Sequence, residues 1–217
     1  MSIIICGSRK YTNVNFDSLV DSFGLIIRNN FLLPDMGYGK RNPDMQVCNI
    51  HVYRHFQKKT NAKALFVDYR GKKMTLEHAK KVHEFFHCSG IKVVHYKNNN
   101  ESAFSEVNQK HSLNYEVKGL AKCGLSHVVE CILLGFKPFL VGYSVRDDQV
   151  KSHAYNNHVN LYKNHDHDAE ISFMKELHKK GLVDATFCLV EDKQPLTLSN
   201  EFSPTKEGLE ILNEHLR

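Results

Sequence analysis

The sequence lacks the features that mark several classes of protein. None of its apolar runs approaches the about 18 residues that a membrane-spanning helix requires. Its first residues show no basic region, longer apolar stretch or small-residue cleavage site, so we expect no signal peptide. The six cysteines have no Cys-x-x-Cys spacing, and without a secretion signal they predict free thiols in a reducing compartment. These absences favour a cytoplasmic protein, with at most peripheral contact at the inner face of a membrane.

The chain also lacks the short motifs of common nucleotide-binding and hydrolytic sites. It contains no Gly-x-Gly-x-x-Gly, no phosphate-loop lysine motif and no Gly-x-Ser-x-Gly. No internal repeat, linker or low-complexity segment divides it, so we expect residues 1–217 to form one domain. The formal net charge of +5, from 29 basic and 24 acidic side chains, is too mild for a nucleic-acid-binding face. It suits an anionic small molecule or weak contact with an acidic membrane surface.

Short apolar segments alternate with stretches of helical spacing along the chain. The segments that predict strands are residues 2–6, 25–27, 45–48, 64–67, 91–95, 139–141 and 186–190. The segments that predict helices are residues 17–23, 76–86, 125–134 and 169–180. This alternation predicts a single α/β domain of the Rossmann-like kind, with a mainly parallel sheet. The polar stretch 146–164 is expected to be a loop or lid.

Ligands of such sheets bind beyond the carboxyl ends of the strands, so the residues that follow strands are the first candidates. Gly7 and Ser8 follow the first strand, where a glycine allows close approach of the backbone and Ser8 can donate a hydrogen bond. Asn29 and Asn49 end two further strands, and a carboxamide can read a ribose or a base edge. Each asparagine could equally cap its strand end or adopt a left-handed backbone. The last of these candidates is Gly142, which follows the predicted strand 139–141.

The run His165-Asp166-His167-Asp168 precedes a predicted helix. A histidine there is well placed to act as a general base, because its ordinary pKa lies near neutrality. We expect Asp168 to cap the helix. The run mixes imidazole and carboxylate groups, but no second ligand pair follows at a recognisable spacing, so we predict no metal site.

Three parts of the sequence resemble the bacterial sialyltransferases of glycosyltransferase family 42. In residues 23–49, Asn29 and Asn49 keep the mutual spacing of two asparagines in that family. Residues 124–142 are similar to the family's block of glycine, helix, Leu-Gly-Tyr-Lys, strand and glycine. The third match is His165 with the residues behind it, Glu170, Ile171, Met174 and Leu177. The resemblance runs nearly end to end, with a shorter carboxyl terminus.

The resemblance implies a GT-A-like variant of the fold and an enzyme of lipooligosaccharide biosynthesis. It implies inverting transfer of sialic acid, or a related sugar, from a CMP-activated donor to a glycan acceptor, without a metal or other cofactor. His165 would be the base, with His167 as the second choice, while Tyr155 and Arg146 would stabilise the departing phosphate. The residues that would hold the nucleotide are Gly7, Ser8, Asn29, Asn49, Lys122, Cys123, Gly124 and Gly142. The family also implies a homo-oligomer.

The chain departs from the family at three places. Gly7-Ser8-Arg9-Lys10 stands where the family has Gly-Asn-Gly-Pro-Ser, and Lys122-Cys123 replaces Thr-Ser. One of the family's two phosphate-binding tyrosines is replaced near Arg146. Two alternatives therefore stay open. One is a Rossmann-like protein that senses a purine nucleotide, since residues 5–12 resemble the opening of such proteins. The other is a transferase relative that keeps the fold and binds without catalysis.

Overall fold

The computed structural model describes residues 1–30, 36–49, 62–68, 84, 92–96, 100–116, 123–146 and 166–216. In these residues the chain forms one parallel β-sheet with helices on both of its faces. This arrangement confirms the predicted α/β class and is consistent with a Rossmann-like fold. The segment 146–164, predicted as a lid, lies outside the described residues except for Arg146.

Six described strands make up the sheet, and each is three to five residues long. They are β1 (Ile3–Cys6), β2 (Leu25–Asn29), β3 (Met45–Asn49), β4 (Ala64–Asp68), β5 (Lys92–Tyr96) and β6 (Phe139–Val141). Their order across the sheet is β5-β4-β3-β2-β1-β6, and every neighbouring pair is parallel. The chain therefore winds outward from β1 to β5 and then returns to place β6 on the other side of β1.

Helices cover the sheet on both faces. The described helices are α1 (Asp17–Asp21), α2 (Asn100–His111), α3 (Cys123–Leu133), α4 (His167–Lys179) and α5 (Lys206–His215). One buried cluster joins α2, α3 and α4 to Ile3, Ile5 and Ile27. The other joins α1 and α5 to Ile4 and Ile26. Because side chains alternate along a strand, successive isoleucines enter opposite clusters, which gives a core on each side of the sheet.

The prediction of a strand at residues 186–190 is wrong, because Thr186–Leu189 form a short 3-10 helix. A single parallel bridge joins Asp184 to Phe139, and the chain then turns. The Asp184 carboxylate causes this turn, since its Oδ1 accepts a hydrogen bond from the backbone N–H of Thr186 at 2.9 Å. A local side-chain acceptor thus competes successfully with the ladder that the apolar sequence would otherwise extend.

Two helices were not predicted. They are α2, which begins at Asn100, and α5, which lies near the carboxyl terminus. The helix predicted at residues 76–86 lies outside the described residues, apart from Glu84. Among the described helices, none is both long and apolar enough to cross a membrane.

Candidate functional site

The carboxyl edge of the sheet at β1 and β6 is where the direction of winding reverses. In open α/β sheets, such a reversal opens the crevice in which ligands bind. Gly7 follows β1 here and Gly142 follows β6, as the sequence predicted. The two loops run side by side, because the N–H of Gly7 donates to Val141 O at 2.7 Å and that of Arg9 to Gly142 O at 2.9 Å.

Both glycines are required by contacts within the protein. A Cβ on Gly7 would collide with the carbonyl oxygen of Gly142 and lie 3.0 Å from Cδ2 of Tyr143. Gly142 has a φ of +73° and faces the ring of Tyr38, so a side chain there would be strained and would also clash. The missing side chains therefore let the loops pack together. Ser8 lies half-buried in the first of these loops.

Asn29 lies at the end of β2 and is buried, with 3% of its surface exposed. Its Nδ2 donates to Cys6 O at 3.0 Å and to the hydroxyl oxygen of Tyr143 at 2.7 Å. Since a carbonyl can only accept, the Cys6 bond fixes which end of the amide faces β1. Oδ1 is left buried and makes no hydrogen bond within the described residues. The site thus holds a buried acceptor of fixed orientation, which a ligand hydroxyl or amino group could satisfy.

The amino-terminal turn of α3 completes this arrangement. Tyr143 donates its hydroxyl hydrogen to Gly124 O at 3.3 Å, so one phenol links β2, α3 and the loop after β6. A Cβ on Gly124 would lie 3.0 Å from both Asn29 Nδ2 and the Tyr143 oxygen. Glycine therefore allows α3 to approach the end of β2. A helix amino terminus beside strand ends offers backbone N–H groups and a positive dipole end to an anion.

Arg9 adds a cation to the loop after β1. Its guanidinium stacks over the ring of Tyr11, 4.4 Å from the centroid, and its Nη1 is buried without a hydrogen bond among the described residues. Tyr38 donates its hydroxyl to Arg9 O, which holds the backbone of the loop. Farther along, Asp192 accepts hydrogen bonds from the N–H groups of Thr12 and Asn13. The loop is thus anchored at both ends with a positive side chain within it.

Arg146 was predicted to contact the departing phosphate, but in the structure it contacts carboxylates. Its Nη1 lies 3.4 Å from Glu191 Oε1 and its Nε 4.0 Å from Glu201 Oε1. Hydrogen bonds from Lys193 and Thr197, with the charges of Lys193 and Arg146, lower the pKa of Glu191 to about 2. Glu191 is therefore ionised at neutral pH and competes with a phosphate for Arg146.

Several predicted site residues cannot be related to this arrangement by their side chains. Lys122, Tyr155 and His165 lie outside the described residues. Asn49 ends β3, on the strand next to Asn29, and Cys123 begins α3, but only the backbones of these two are described.

The helix that follows His165 begins differently from the prediction. Asp166, and not Asp168, caps α4: Asp166 Oδ1 accepts a hydrogen bond from Ala169 N at 3.0 Å. Asp168 lies within the first turn, where it is exposed. The cap precedes the helix by one residue, and so His167, the second choice for the base, becomes the first residue of α4.

The thiols and acidic groups do not form a second reactive centre in the described residues. Cys6, Cys131 and Cys188 are free, and burial raises the pKa of the three thiols to about 12, 11 and 12 respectively. They are protonated at neutral pH and therefore poor nucleophiles. No group of three or more histidine, cysteine, aspartate or glutamate side chains in the described ranges is arranged to hold a metal ion.

The structure brings together Gly7, Asn29, Gly124 and Gly142 of the predicted set, and it adds Tyr143 and Arg9. Arg9 was noted in the sequence only as a departure from the family's loop. Tyr143 carried no separate signal, although it directly follows a strand-ending glycine, the position already used to choose the other candidates. A comparison of the sequence with protein-family models and with curated proteins finds no match to either.

Proposed function

We propose that the chain binds a nucleotide-activated sugar at the carboxyl edge of β1, β2 and β6, and transfers that sugar to a glycan acceptor. The donor proposed is CMP-sialic acid or a related CMP-sugar, as the sequence resemblance implies. The observation that carries the proposal is the convergence of Asn29, Tyr143 and the amino terminus of α3 beside the loop of Gly7. On this view the fold is a GT-A-like variant.

The fixed amide of Asn29 supports a nucleoside at this edge. Its buried Oδ1 offers an acceptor, and a ribose hydroxyl or the amino group of cytosine is a matching donor. An unsatisfied buried acceptor costs about 1–3 kcal/mol, so a ligand that supplies the missing donor would recover a comparable amount on binding. Asn49, at the end of the neighbouring strand, is proposed as the second nucleoside contact.

The charges around the loop support a site for the phosphate of the donor. Arg9 has a nitrogen without a hydrogen bond among the described residues, whereas Arg146 already contacts two carboxylates. We therefore assign the first phosphate contact to Arg9 and to the N–H groups at the start of α3. Tyr155 keeps its proposed role at the leaving group. Arg146 can take the same role only after it leaves Glu191 and contacts the phosphate.

In the proposed reaction, the acceptor hydroxyl attacks the anomeric carbon of the sugar while its bond to the CMP oxygen breaks. His165 takes the hydroxyl proton, and the positive side chains stabilise the charge that develops on the phosphate. Displacement from the opposite face inverts the anomeric centre. Residues 146–164 are proposed as the lid that excludes water from the donor.

The test is a thermal-shift panel of CMP, UMP, GMP and ADP-ribose on wild type, on Asn29→Ala with Asn49→Ala, and on Tyr143→Phe. A ligand that binds only the folded state raises the melting temperature. We expect CMP alone to stabilise wild type and the asparagine double variant to lose the shift. Tyr143→Phe keeps the ring but loses the hydroxyl that orients Asn29, so we expect its affinity for CMP to fall about tenfold.

Tyr115→Phe is the matched control, because Tyr115 stacks on Phe173 between helices, at a ring distance of 4.3 Å. It should bind CMP like wild type. If CMP does not stabilise wild type, or if the asparagine variant responds equally, the proposed site is wrong. If CMP binds, His165→Ala in a transfer assay then tests the proposed base.

A second candidate function is nucleotide binding without transfer. The contacts of Arg146 with Glu191 and Glu201 favour it, because a leaving-group cation held by two carboxylates is poorly placed for catalysis. This candidate predicts stabilisation by a nucleotide, a purine nucleotide included, with no turnover and no effect of His165→Ala.

A further inference from the structure

All three exposed large apolar side chains of the described residues lie at one edge of the sheet. They are Met1, Leu134 and Phe136, whose exposed fractions are 86%, 73% and 45%. Met1 precedes β1, while Leu134 and Phe136 precede β6, and β1 and β6 are neighbours with Ile4 opposite Phe139. The three side chains therefore occupy the amino edge, opposite the edge that carries Asn29.

Leu134 and Phe136 project from a tight turn. Gly135, with a φ of +83°, ends α3 in a motif in which Gly135 N donates to Ile132 O at 3.0 Å and Phe136 N to Cys131 O at 2.9 Å. This motif usually buries the residue after the glycine against the helix. The facing residue is the small Cys131, and Phe136 stays almost half exposed. The turn is therefore a convex apolar projection and not a groove.

A second turn of the same kind lies beside the first. Gly181, with a φ of +69°, ends α4, and the chain then enters the bridge between Asp184 and Phe139. The two turns lie side by side at the amino edge, since Asp184 N donates to Pro138 O at 2.9 Å. The first turn exposes Lys137, and the end of α4 exposes Lys179 and Lys180 at the same edge.

Among the residues that the structure describes, the amino edge carries slightly more basic than acidic side chains. The exposed basic residues there are Lys40, Arg41, Lys63, Lys137, Lys179, Lys180 and Lys206. The acidic residues of that edge include Asp21, Asp44, Glu176, Glu207 and Glu210. Asp44 pairs with Lys63 at 2.5 Å, Glu176 with Lys179 at 3.8 Å and Glu210 with Lys206 at 3.7 Å. Glu130 lies one helical turn before Leu134, and its carboxylate is 3.0 Å from His127 Nδ1. With Glu130 included, the named basic residues still outnumber the acidic ones.

We infer that Leu134, Phe136, Lys137, Lys179 and Lys180 form a docking surface for a bilayer that contains anionic lipids. Convex apolar side chains can enter the boundary between headgroups and acyl chains, and the surrounding lysines attract acidic headgroups. Charge complementarity and the convex shape favour a lipid surface over a protein groove. The inference does not depend on the proposed function, and it places the Asn29 edge away from the bilayer, open to water-soluble molecules.

The test is co-sedimentation of the full chain with vesicles of phosphatidylcholine containing about 30% phosphatidylglycerol, and with pure phosphatidylcholine. We expect binding to the anionic vesicles only, and weaker binding as salt is raised. The double variant Leu134→Ser with Phe136→Ser should reduce partitioning at least tenfold. Lys137→Gln should reduce it about fivefold. Lys193→Gln is the matched control, because it also removes one lysine, in this case one that pairs with Glu191. It should bind the anionic vesicles as wild type does.

Each other result overturns the inference. Equal binding to both vesicle types, no binding, or unchanged binding by the double variant would exclude this surface as a lipid contact. Sedimentation equilibrium provides a further outcome: a dimer that the double variant dissociates would assign the surface to a second copy of the chain. Because both side chains are exposed, we expect the double variant to melt at the wild-type temperature. That result would show that the variant folds.

Discussion

Arg28 is the largest side chain of the described residues that is fully buried, and it lies next to Asn29 on β2. It bonds backbone oxygens, with Nε on Tyr38 O at 3.0 Å and Nη2 on Gly39 O at 2.7 Å and Arg41 O at 2.8 Å. Asp17 and Asp21, whose charges act on Arg28, bind the backbone N–H groups of the same loop. One cation thus holds the loop that carries Tyr38, which in turn contacts Arg9 and Gly142.

Arg28→Met should destabilise the fold by about 2–4 kcal/mol, because it leaves three carbonyl oxygens without their donor. Urea unfolding measures this change through the midpoint at an unchanged slope. Lys206→Met is the control, since the Lys206 side chain is 92% exposed, and it should change stability by less than about 0.5 kcal/mol. Equal effects of the two substitutions would mean that the Arg28 contacts contribute nothing.

At the scale of the elements, glycines end α3 and β6 under different constraints. Gly135 and Gly142 both have positive φ, but a Cβ on Gly135 would meet no atom within 4 Å, whereas a Cβ on Gly142 would meet Tyr38. The first position requires only backbone freedom. The second also requires empty space, because the aromatic ring packs against it.

Gly135→Ala should therefore cost about 1–2 kcal/mol, the penalty of a left-handed backbone alone. Gly142→Ala should cost about 2–5 kcal/mol, because overpacking against Tyr38 adds to the same penalty. The two variants are each other's control in denaturant unfolding. An equal loss in both would show that Tyr38 moves away without strain.

The strands were predicted well because each one is a short apolar run bounded by polar or turn residues. The six predicted runs from residues 2–6 to 139–141 agree with β1 to β6 within one or two residues. The seventh was wrong, because the Asp184 side chain redirects an equally apolar segment. α2 was missed because it is mostly polar, with few apolar residues to mark a face.

The candidate site was predicted only in part. Gly7, Asn29 and Gly142 follow from one rule, that ligands bind at strand ends, and Gly124 from the family resemblance. Tyr143 joins Asn29 to Gly124 because three elements meet at this point of the fold. No local sequence pattern predicts this contact. The contacts of Arg146 depend likewise on Glu191 and Glu201, 45 and 55 residues farther along the chain.

At the scale of the whole molecule, Glu191 connects distant parts of the chain. It contacts Arg146 after β6, Lys193 and Thr197, while Arg146 also approaches Glu201, which bonds Lys175 of α4. The hydrogen bonds of Lys193 and Thr197 lower the pKa of Glu191 from 4.5 to about 2. A carboxylate whose pKa falls on folding stabilises the fold above its unfolded pKa.

The contribution of Glu191 to stability is therefore complete above about pH 5 and disappears as the pH falls towards 2. The melting temperature of Glu191→Gln should depend less on pH between these limits than that of wild type. Glu214→Gln, which removes an exposed carboxylate of α5, should follow the wild-type curve. Parallel curves for wild type and Glu191→Gln would contradict the lowered pKa.

The placement of β6 beside β1 has a consequence for synthesis on the ribosome. β1 is made first, but one of its two neighbours, β6, follows about 130 residues later. At roughly 5–20 residues per second, the nascent chain presents one open edge of β1 for several seconds or more. Closing so long a loop slows folding, and an unpaired apolar strand invites pairing with other chains. We therefore expect chaperone binding to concentrate on the segment around β1 until β6 has emerged.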